Sequence, residues 1–146
     1  MKIVIKQFKE LSINEYHQIT QARERVFYLE QHVSCLDADD IDPHCTYLYV
    51  EQAGQIIGFL RMIPAGIAYE EVSIGRVLVC DEFRREGICR KMMQTAIDYI
   101  QASWRTSHIK ISAQAYLVDF YKSLGFTLIS EAYLEAGITH YKMLRS

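Results

Sequence analysis

Long apolar runs and an excess of one charge sign are both absent from this sequence. No stretch of about 18 apolar residues occurs, so we expect no membrane span. The 16 Lys and Arg residues nearly balance the 18 Asp and Glu residues, and the net charge is -2. Nothing in the overall charge therefore indicates binding to a nucleic acid, and any electrostatic recognition must be local.

Paired cysteine motifs, repeats and linkers are also missing. The four cysteines (Cys35, Cys45, Cys80 and Cys89) form no CxxC pair and fit no zinc pattern. The N-terminal "MKIVIKQF" alternates like a strand and lacks the apolar segment of a secretion signal. No repeat, low-complexity tract or Pro/Gly-rich linker interrupts the chain. We expect a cytoplasmic protein with reduced thiols, no metal, and one domain over residues 1–146.

Hydrophobic patterns predict the element order β, α, β, β, β, α, β, α, β, β. "KIVIKQF" alternates as a strand, and Ser12 with Glu15 resembles a capping box that opens a helix reaching about Gln31. Ala53-Gly54 predicts a turn between two strands. The expected buried helix faces are Ile19, Ala22, Val26 and Leu29 in the first helix, and Ile88, Met92, Ala96, Ile97 and Ile100 in the second.

The remaining segments complete a mixed sheet. "EVSIGRVLVC" is almost continuously apolar at its centre, which is typical of a strand covered on both faces. "HIKISAQ", "FTLIS" and "THYKML" are further strands, and "YLVDFYKSLGF" is a short helix. A strand–helix–strand order in the second half implies a right-handed crossover and a parallel pair. The hairpins on either side imply antiparallel neighbours, so we predict an α/β fold with helices on both faces.

The stretch "RREGICRKMM" (84–93) concentrates positive charge where the second long helix begins. Four basic residues surround the turn and only Glu86 opposes them. Cations at a helix N-terminus are unfavourable by roughly 0.3–1 kcal/mol each, whereas a bound anion is favourable there. Gly87 lets the backbone approach an anion closely. A solvated basic patch in which Gly87 serves only the turn is the alternative. The dinucleotide motif GxGxxG and the nucleotide motif GxxxxGK[ST] are both absent.

Two blocks of the sequence resemble the GNAT-type N-acetyltransferases. "VLVCDEFRREGICRKMM" (77–93) is similar to the family's acetyl-CoA signature, a V-x-V strand end followed by [RQ]-x-x-G-[IL]-[GA]. Cys89 stands where that signature has Gly or Ala. "SAQAYLVDFYKSLGF" (112–126) resembles a second family segment, with Gln114 in place of Asn. "RERVFYLEQ", "DADDID", "IGRVLV", "SAQA" and "GITHYKM" resemble the ElaA-like branch of the family.

The resemblance implies the GNAT fold, acetyl-CoA as co-substrate and an amine as acceptor. That fold has a mixed, mostly antiparallel central sheet with a splayed parallel pair and helices on both faces. The cofactor arm would lie between the splayed strands, and the pyrophosphate would lie on the turn. The implied cofactor-binding residues are Val77, Leu78 and Val79 on the strand, Arg84, Arg85, Glu86, Gly87, Ile88, Cys89 and Arg90 at the turn, and Gln114 on the next strand.

Tyr121 is the catalytic residue that the resemblance implies. It would act as a general acid toward the CoA thiolate, mainly through a hydrogen bond that strengthens as charge develops on sulfur. A core aromatic on a helix face is the alternative. The thiol of Cys89 would lie near the cofactor and make the enzyme sensitive to alkylation, or Cys89 would simply be a small residue in a tight helix start.

The general base does not follow from the sequence. A lysine-like amine has a pKa of about 10.4 and is almost entirely protonated at neutral pH, so a base or a water relay is expected. The positions of the family's common base carboxylate are apolar in this chain. The candidates that remain are His44, His140, Glu30 and Glu71.

The acidic segment "DADDID" (37–42) has two interpretations. Its carboxylates Asp37, Asp39, Asp40 and Asp42 would attract a cationic amine, or they would form a solvated loop with capping and turn roles. The spacing does not fit a calcium loop.

Fold alone does not establish activity, so a second class stays open. It is a non-catalytic acyl-CoA-binding or protein-interaction domain on the same fold. The expected partner is a small-molecule or peptide amine, with no nucleic acid and no membrane, and we expect a monomer or homodimer. Small amines, polyamines, aminoglycosides, protein N-termini and lysines all remain as acceptors.

Overall fold

One eight-stranded mixed sheet organises the protein, with three α-helices packed on its two faces. The computed structural model describes residues 1–146. The strands are β1 (Lys2–Gln7), β2 (Thr46–Gln52), β3 (Gln55–Ile63), β4 (Val72–Val79), β5 (Ile109–Gln114), β6 (Phe126–Leu128), β7 (Tyr133–Glu135) and β8 (Ile138–Arg145). The α-helices are α1 (Ile13–Arg23), α2 (Ile88–Ser103) and α3 (Val118–Ser123). None of them is long and apolar enough to cross a bilayer.

The sheet order is β1-β2-β3-β4-β5-β8-β6, and β7 also pairs with β8. Every pair is antiparallel except β4 with β5, which is parallel. This arrangement confirms the predicted mixed and mostly antiparallel α/β sheet.

The parallel pair separates almost as soon as it forms. β4 and β5 are paired only at Val72 with Ile109 and at Ser73 with Lys110. Beyond those pairs, β4 contains a bulge, since it has one more residue than β3 between the Gly75–Arg61 and Leu78–Phe59 pairs. The strands therefore splay toward their C-terminal ends, where the amides of β4 face a gap.

Two apolar cores lie on opposite faces of the sheet. α2 and α3 cover the larger one, and the predicted face of α2 is buried at each of its positions Ile88, Met92, Ala96, Ile97 and Ile100. α1 covers the smaller one with Ile19 and Ala22. The expectation that Leu29 is part of this face is wrong, because its side chain is 62% exposed.

The displacement of Leu29 has a backbone cause. The predicted helix is α-helical only to Arg23 and continues as a π-helix over Glu24–Glu30. The wider π-turn shifts the phase of the side chains relative to a 3.6-residue repeat. Val26 is still buried, but Leu29 turns to solvent.

Two local predictions at helix starts are confirmed. The Ser12 Oγ accepts from the Glu15 backbone at 3.0 Å, and the Glu15 Oε1 accepts from the Ser12 backbone at 2.8 Å. Gly87 is the N-cap of α2 and has a left-handed φ of 78°.

The strand β7 is not among the sequence predictions. Its three residues, Tyr133–Glu135, form a hairpin with β8 through a turn at Ala136-Gly137. Both turn residues have positive φ values, 51° and 77°. The same dipeptide at Ala53-Gly54, with φ values of 51° and 79°, is the signal from which the β2–β3 turn was predicted, so β7 was within reach of the sequence.

Candidate active site

The N-terminal end of α2 presents free backbone donors at the open end of the splayed strands. The first N–H groups of the helix have no carbonyl partner within it and carry partial positive charge. Arg85, Glu86 and Gly87 are exposed, and a Cβ built on Gly87 would have no atom within 4 Å. An anion can therefore approach this turn without meeting protein.

Arg84, a predicted phosphate contact, differs from the other turn residues because its side chain is already bonded within the protein. Its Nε donates to the Val79 carbonyl at 2.8 Å, and its Nη2 pairs with the Glu30 carboxylate at 2.8 Å. Arg84 thus ties the end of β4 to the π-helix. The charge of Arg84 is shared with an acid, and Arg85 and Arg90 form no ion pair.

Tyr121 lies on α3 at the edge of a cavity of about 440 Å³. Its ring packs edge-on against Phe120 and Phe126, and its side chain is almost fully buried. The hydroxyl makes no hydrogen bond within the protein. Burial raises the pKa of Tyr121 above its usual value, with the neighbouring Cys89 and Tyr116 adding to the shift. The phenol is therefore a protonated donor without a partner.

The cavity lies where β4 and β5 diverge. The lining residues that the sequence predicted are Val77, Gln114, Tyr121 and His140, and Asp37 and Asp39 also reach it. Gln114, the predicted cofactor contact on β5, donates its Nε2 to the Gln31 Oε1 at 3.0 Å. This bond connects the splayed strand to the end of the π-helix.

His140 is the one base candidate that shares the cavity with Tyr121. The Glu30 carboxylate is paired with Arg84. His44 and Glu71 line a different groove, of about 870 Å³, at the end of the sheet where β4 and β5 begin. These positions separate three of the four candidates from Tyr121.

The imidazole of His140 has a defined tautomer. Its Nδ1 lies 2.7 Å from the Ile138 carbonyl, which can only accept, so Nδ1 carries a proton. In the neutral ring, Nε2 then carries the lone pair, 3.5 Å from the Glu135 Oε2. With the ring neutral, this lone pair and the Glu135 carboxylate are two acceptors to which an ammonium or amine group can donate.

The acidic segment 37–42 is not a solvated loop, and this corrects one sequence interpretation. Asp42 is buried and accepts from Arg23 at 2.9 Å and from Arg61 at 2.8 Å. Asp37 pairs with Arg23 at 2.6 Å, and Asp39 pairs with Arg61 at 2.6 Å.

A third arginine completes the neutralisation of the segment. The Arg76 Nε lies 2.9 Å from the Asp37 Oδ1, and Asp40 alone among the four carboxylates is exposed. Three arginines therefore neutralise three aspartates, which leaves the segment little charge with which to attract a cationic substrate.

A cluster of polar side chains on the β5, β7 and β8 face escaped the sequence predictions. It contains Tyr69, Ser112, Tyr133, Glu135 and Lys142. The residues come from four separate segments, and only the pairing of β8 with both β5 and β7 brings them together. Recognition of the β7–β8 hairpin from Ala136-Gly137 would have located three of the five, Tyr133, Glu135 and Lys142.

Sequence and structure comparisons agree with this geometry. The family model described as an acetyltransferase (GNAT) domain matches residues 12–146. The chain belongs to the GNAT acetyltransferase family. Among its relatives, a UPF0039 protein of Schizosaccharomyces pombe is 34% identical over 145 residues, covering 98% of this chain and 95% of that protein.

The ElaA-like branch is also shown. Protein ElaA of Escherichia coli is 30% identical over 138 residues, covering 93% of this chain and 90% of that protein. Its crystal structure superimposes with a TM-score of 0.93 over 99% of both chains. An acyl-CoA N-acyltransferase from Pseudomonas aeruginosa, 28% identical, superimposes with a TM-score of 0.94 over 99% of both chains. Membership of this GNAT family supports acyl transfer from an acyl-CoA co-substrate.

Proposed function

We propose that residues 1–146 act as one N-acetyltransferase domain that transfers the acetyl group of acetyl-CoA directly to an amine. The observation that carries the proposal is Tyr121, a buried side chain that lines the cavity between the splayed strands and whose hydroxyl has no hydrogen-bond partner in the protein. A phenol in this position has no structural bond to satisfy and is available to a ligand. The free N-terminus of α2 supplies a site for the CoA pyrophosphate at the open end of the same gap.

In the proposed reaction, the amine nitrogen attacks the thioester carbonyl carbon, and the carbon–sulfur bond breaks as the amide bond forms. Tyr121 donates a hydrogen bond to the departing thiolate. Because burial raises the pKa of Tyr121, the phenol holds its proton strongly and acts mainly by stabilising the charge on sulfur. The proton lost by the amine leaves through the general base.

His140 is the base that we propose among the four candidates. Its Nε2 lone pair and the Glu135 carboxylate can both accept from an incoming ammonium group, and the imidazole can then take the proton. Because His140 and Tyr121 line the same cavity, both are available to one substrate bound in it.

The proposed cofactor contacts follow the turn and the strand end. The backbone amides of the residues from Arg85 to Arg90 would hold the pyrophosphate, with Arg84 flanking it. Val77, Leu78 and Val79 would bond the pantetheine arm, since the side of β4 that faces the gap has no strand partner beyond Ser73. Gln114 would contact the arm from β5.

A thiol-release assay tests the function. Purified protein is incubated with acetyl-CoA and a panel of small amines, polyamines, aminoglycosides, amino acids and peptides, and free CoA is measured against time. The proposal expects release above the rate of spontaneous hydrolysis with at least one amine, together with acetylated product by mass spectrometry. Calorimetric binding of acetyl-CoA without thiol release from any amine would instead favour a non-catalytic acyl-CoA-binding domain.

A further inference from the structure

Lys142 on β8 is a cation without an acidic partner beside the cavity. Its Nζ donates to the Tyr69 hydroxyl at 2.9 Å and to the Tyr133 hydroxyl at 2.8 Å. The same ammonium lies 5.0 Å from the Tyr69 ring centroid and 4.5 Å from that of Tyr133. Burial lowers the pKa of Lys142, but the hydrogen bonds with Tyr133 and Tyr69 outweigh this effect and raise the pKa above its usual value. The ammonium group therefore stays charged.

A second lysine strengthens the positive field at this position. The Lys110 Nζ lies 5.0 Å from the Tyr69 ring centroid and also forms no ion pair. Two ammonium groups thus flank one aromatic ring that lines the cavity. Neither ammonium has a direct ion-pair partner, and the nearest acid in the cluster, Glu135, is connected to Lys142 only through Ser112 and Tyr133, so a further anion is favoured at this position.

The Tyr69 hydroxyl adds an unused donor. Its oxygen accepts from Lys142, and no acceptor in the protein takes its own proton. The Tyr133 hydroxyl, in contrast, is also hydrogen-bonded to Ser112. Lys142 keeps its third N–H and Tyr69 its O–H without an acceptor in the protein, so two neighbouring donors are available to a carboxylate.

The sheet places the residues of this cationic site next to those of the proposed amine site. β5 and β8 pair Ser112 with Lys142 and Gln114 with His140, so these four side chains share one face. Lys142 and His140 are two residues apart on one strand, and their Cα atoms are separated by about 7 Å. One small molecule can span that distance with an amine at one end and an anion at the other.

We infer that the acceptor is a small amine that carries its own carboxylate, as a free amino acid does. The amine would lie at His140 Nε2 and Glu135, and the carboxylate at Lys142 and Tyr69 with Lys110 nearby. The inference rests on the proposed acetyl transfer and specifies its acceptor.

Polycationic acceptors fit this cavity less well. The acids that line it are Asp37, Asp39 and Glu135, and the two aspartates are already paired with arginines. A polyamine or aminoglycoside would therefore meet one available carboxylate and two ammonium groups. The net field at the acceptor end favours a negatively charged group.

Matched acceptor pairs test the inference. Each of the common amino acids is compared with its own carboxamide, and kcat/KM is measured by CoA release. The carboxamide has the more weakly basic amine, so a larger fraction of it is unprotonated at neutral pH. Without recognition of the carboxylate, the carboxamide should therefore react faster. We expect the preferred amino acid to exceed its carboxamide by about tenfold or more, the contribution of a charge-assisted hydrogen bond.

Substitutions then locate the carboxylate site. Lys142→Met keeps an unbranched stem between the tyrosines, and it should remove most of the tenfold preference because kcat/KM falls much more for the amino acid than for its carboxamide. Lys142→Arg should retain part of the preference, and Tyr69→Phe should lower it without loss of ring packing. Lys2→Met, the control, removes one positive charge from the exposed start of β1. It should change kcat/KM for neither the amino acid nor its carboxamide. A thermal melt of each variant verifies folding.

The outcomes separate the two proposals. Turnover of carboxamides and other amines with no gain from a carboxylate overturns the acceptor inference and leaves acetyl transfer intact. An equal loss for acid and carboxamide in a folded Lys142→Met protein also overturns it, since the lysine would then be structural. Absence of CoA release with every acceptor overturns acetyl transfer itself.

Discussion

At the scale of the residue, Tyr121 unites an unpartnered hydroxyl with a ring that is fully packed. Removal of the hydroxyl alone leaves the contacts with Phe120 and Phe126 in place. A Tyr121→Phe protein should therefore fold normally and bind acetyl-CoA within about twofold of the parent. Its kcat should fall by about a hundredfold, the lower range for a lost general acid.

Steady-state thiol release measures kcat in this variant, and calorimetry measures acetyl-CoA affinity. Tyr28→Phe is the matched control, since Tyr28 is 59% exposed on the π-helix. Unchanged turnover in Tyr121→Phe would remove Tyr121 from the mechanism.

The cysteines should differ sharply in reactivity. Burial raises the pKa of Cys89 to about 11 and that of Cys45 to about 12, so both thiols stay protonated at neutral pH. Cys35 is exposed and lines the cavity. With iodoacetamide at neutral pH, peptide mass spectrometry should find Cys35 modified first and Cys89 largely unmodified, because the thiolate is the reactive form.

A Cys35→Ser protein should accordingly resist rapid labelling. Equal labelling rates at Cys35 and Cys89 would contradict the burial argument and would support Cys89 as an alkylation-sensitive thiol beside the cofactor.

The site residues indicated by the sequence stay predictions, and they are the ones for which the signal is local. Gly87 and Tyr121 are positions within short motifs, and the structure places one at a helix end and the other at the cavity. Lys142 and Tyr69 are 73 residues apart and carry no motif. Their association depends on strand pairing, which local patterns do not specify.

At the scale of the element, the start of α2 depends on the left-handed backbone of Gly87. An L-residue with φ near 78° is disfavoured by about 1–2 kcal/mol, and a shift of φ would turn the first amides of the helix away from a bound anion. Gly87→Ala should thus lower the melting temperature by a few degrees and weaken acetyl-CoA binding by about tenfold or more.

Gly54→Ala is the matched control for strain. Gly54 has a φ of 79° and equally open surroundings, but it lies in the β2–β3 turn. Both variants should lose similar stability by thermal melting, and only Gly87→Ala should lose affinity in calorimetry. Equal affinity in the two variants would mean that the turn does not hold the phosphates.

Glu15 anchors the first turn of α1 to two strands and should give the protein a measurable acid sensitivity. Its carboxylate accepts from Lys6 on β1 at 2.8 Å and from the Tyr49 hydroxyl on β2 at 2.5 Å. The Lys6 hydrogen bond, followed by those from Ser12 and Tyr49, lowers the pKa of Glu15 to about 2.

A lowered pKa in the folded state means that the stabilisation is complete above the ordinary pKa of about 4.3 and is lost as the pH falls toward 2. Glu15→Gln should lower the free energy of unfolding by about 1 kcal/mol at pH 7, because the group is partly solvated. Denaturant titrations at pH 7, 4.5 and 3.5 should show the difference in unfolding free energy between the parent and Glu15→Gln narrowing as the pH falls. Glu24→Gln, at an exposed position, should have the same unfolding free energy as the parent at each pH. A difference that is constant with pH would contradict the assignment.

Element boundaries were predicted where caps and turns are strong. Ser12, Gly87 and Ala53-Gly54 each fix a boundary by local chemistry. The change from α- to π-helix after Arg23 was not predicted, because a hydrophobic pattern reports which side is apolar and not the number of residues per turn.

At the scale of the whole molecule, the acidic segment 37–42 joins distant parts of the fold. Asp42 accepts from Arg23 on α1 and Arg61 on β3. Burial raises the pKa of Asp42, but hydrogen bonds from Arg23 and Arg61 outweigh this effect and hold the pKa below its usual range. Asp42→Asn leaves two buried guanidinium groups short of a counterion and should reduce the free energy of unfolding by about 3 kcal/mol.

Chemical denaturation measures that loss directly, with Asp40→Asn as the control at the exposed carboxylate of the same segment. Equal stability of the two variants would show that the ion-pair cluster contributes no net stability.

The strand order is the part of the fold that sequence patterns specify least. Consecutive antiparallel connections make β2-β3-β4 predictable, whereas α1 and the acidic segment separate β1 from β2 in the sequence. The insertion of β8 between β5 and β6 is a long-range choice, and no residue in "THYKML" indicates it. The partners of Asp37, Asp39 and Asp42 were unpredictable for the same reason, since Arg61 and Arg76 lie on strands separated from the segment by at least 19 residues.

The short β4–β5 pairing leaves the width of the gap between these two strands free to change. The strands share two residue pairs, so widening the space beyond them breaks no backbone ladder. Such a movement is resisted by side-chain contacts, which include the Gln114–Gln31 hydrogen bond and dispersion contacts of roughly 0.1–0.2 kcal/mol per atom pair. The other dimensions of the sheet are held by continuous hydrogen-bonded ladders. A bulkier thioester would therefore be accommodated by widening the cleft, since this movement breaks no strand pairing.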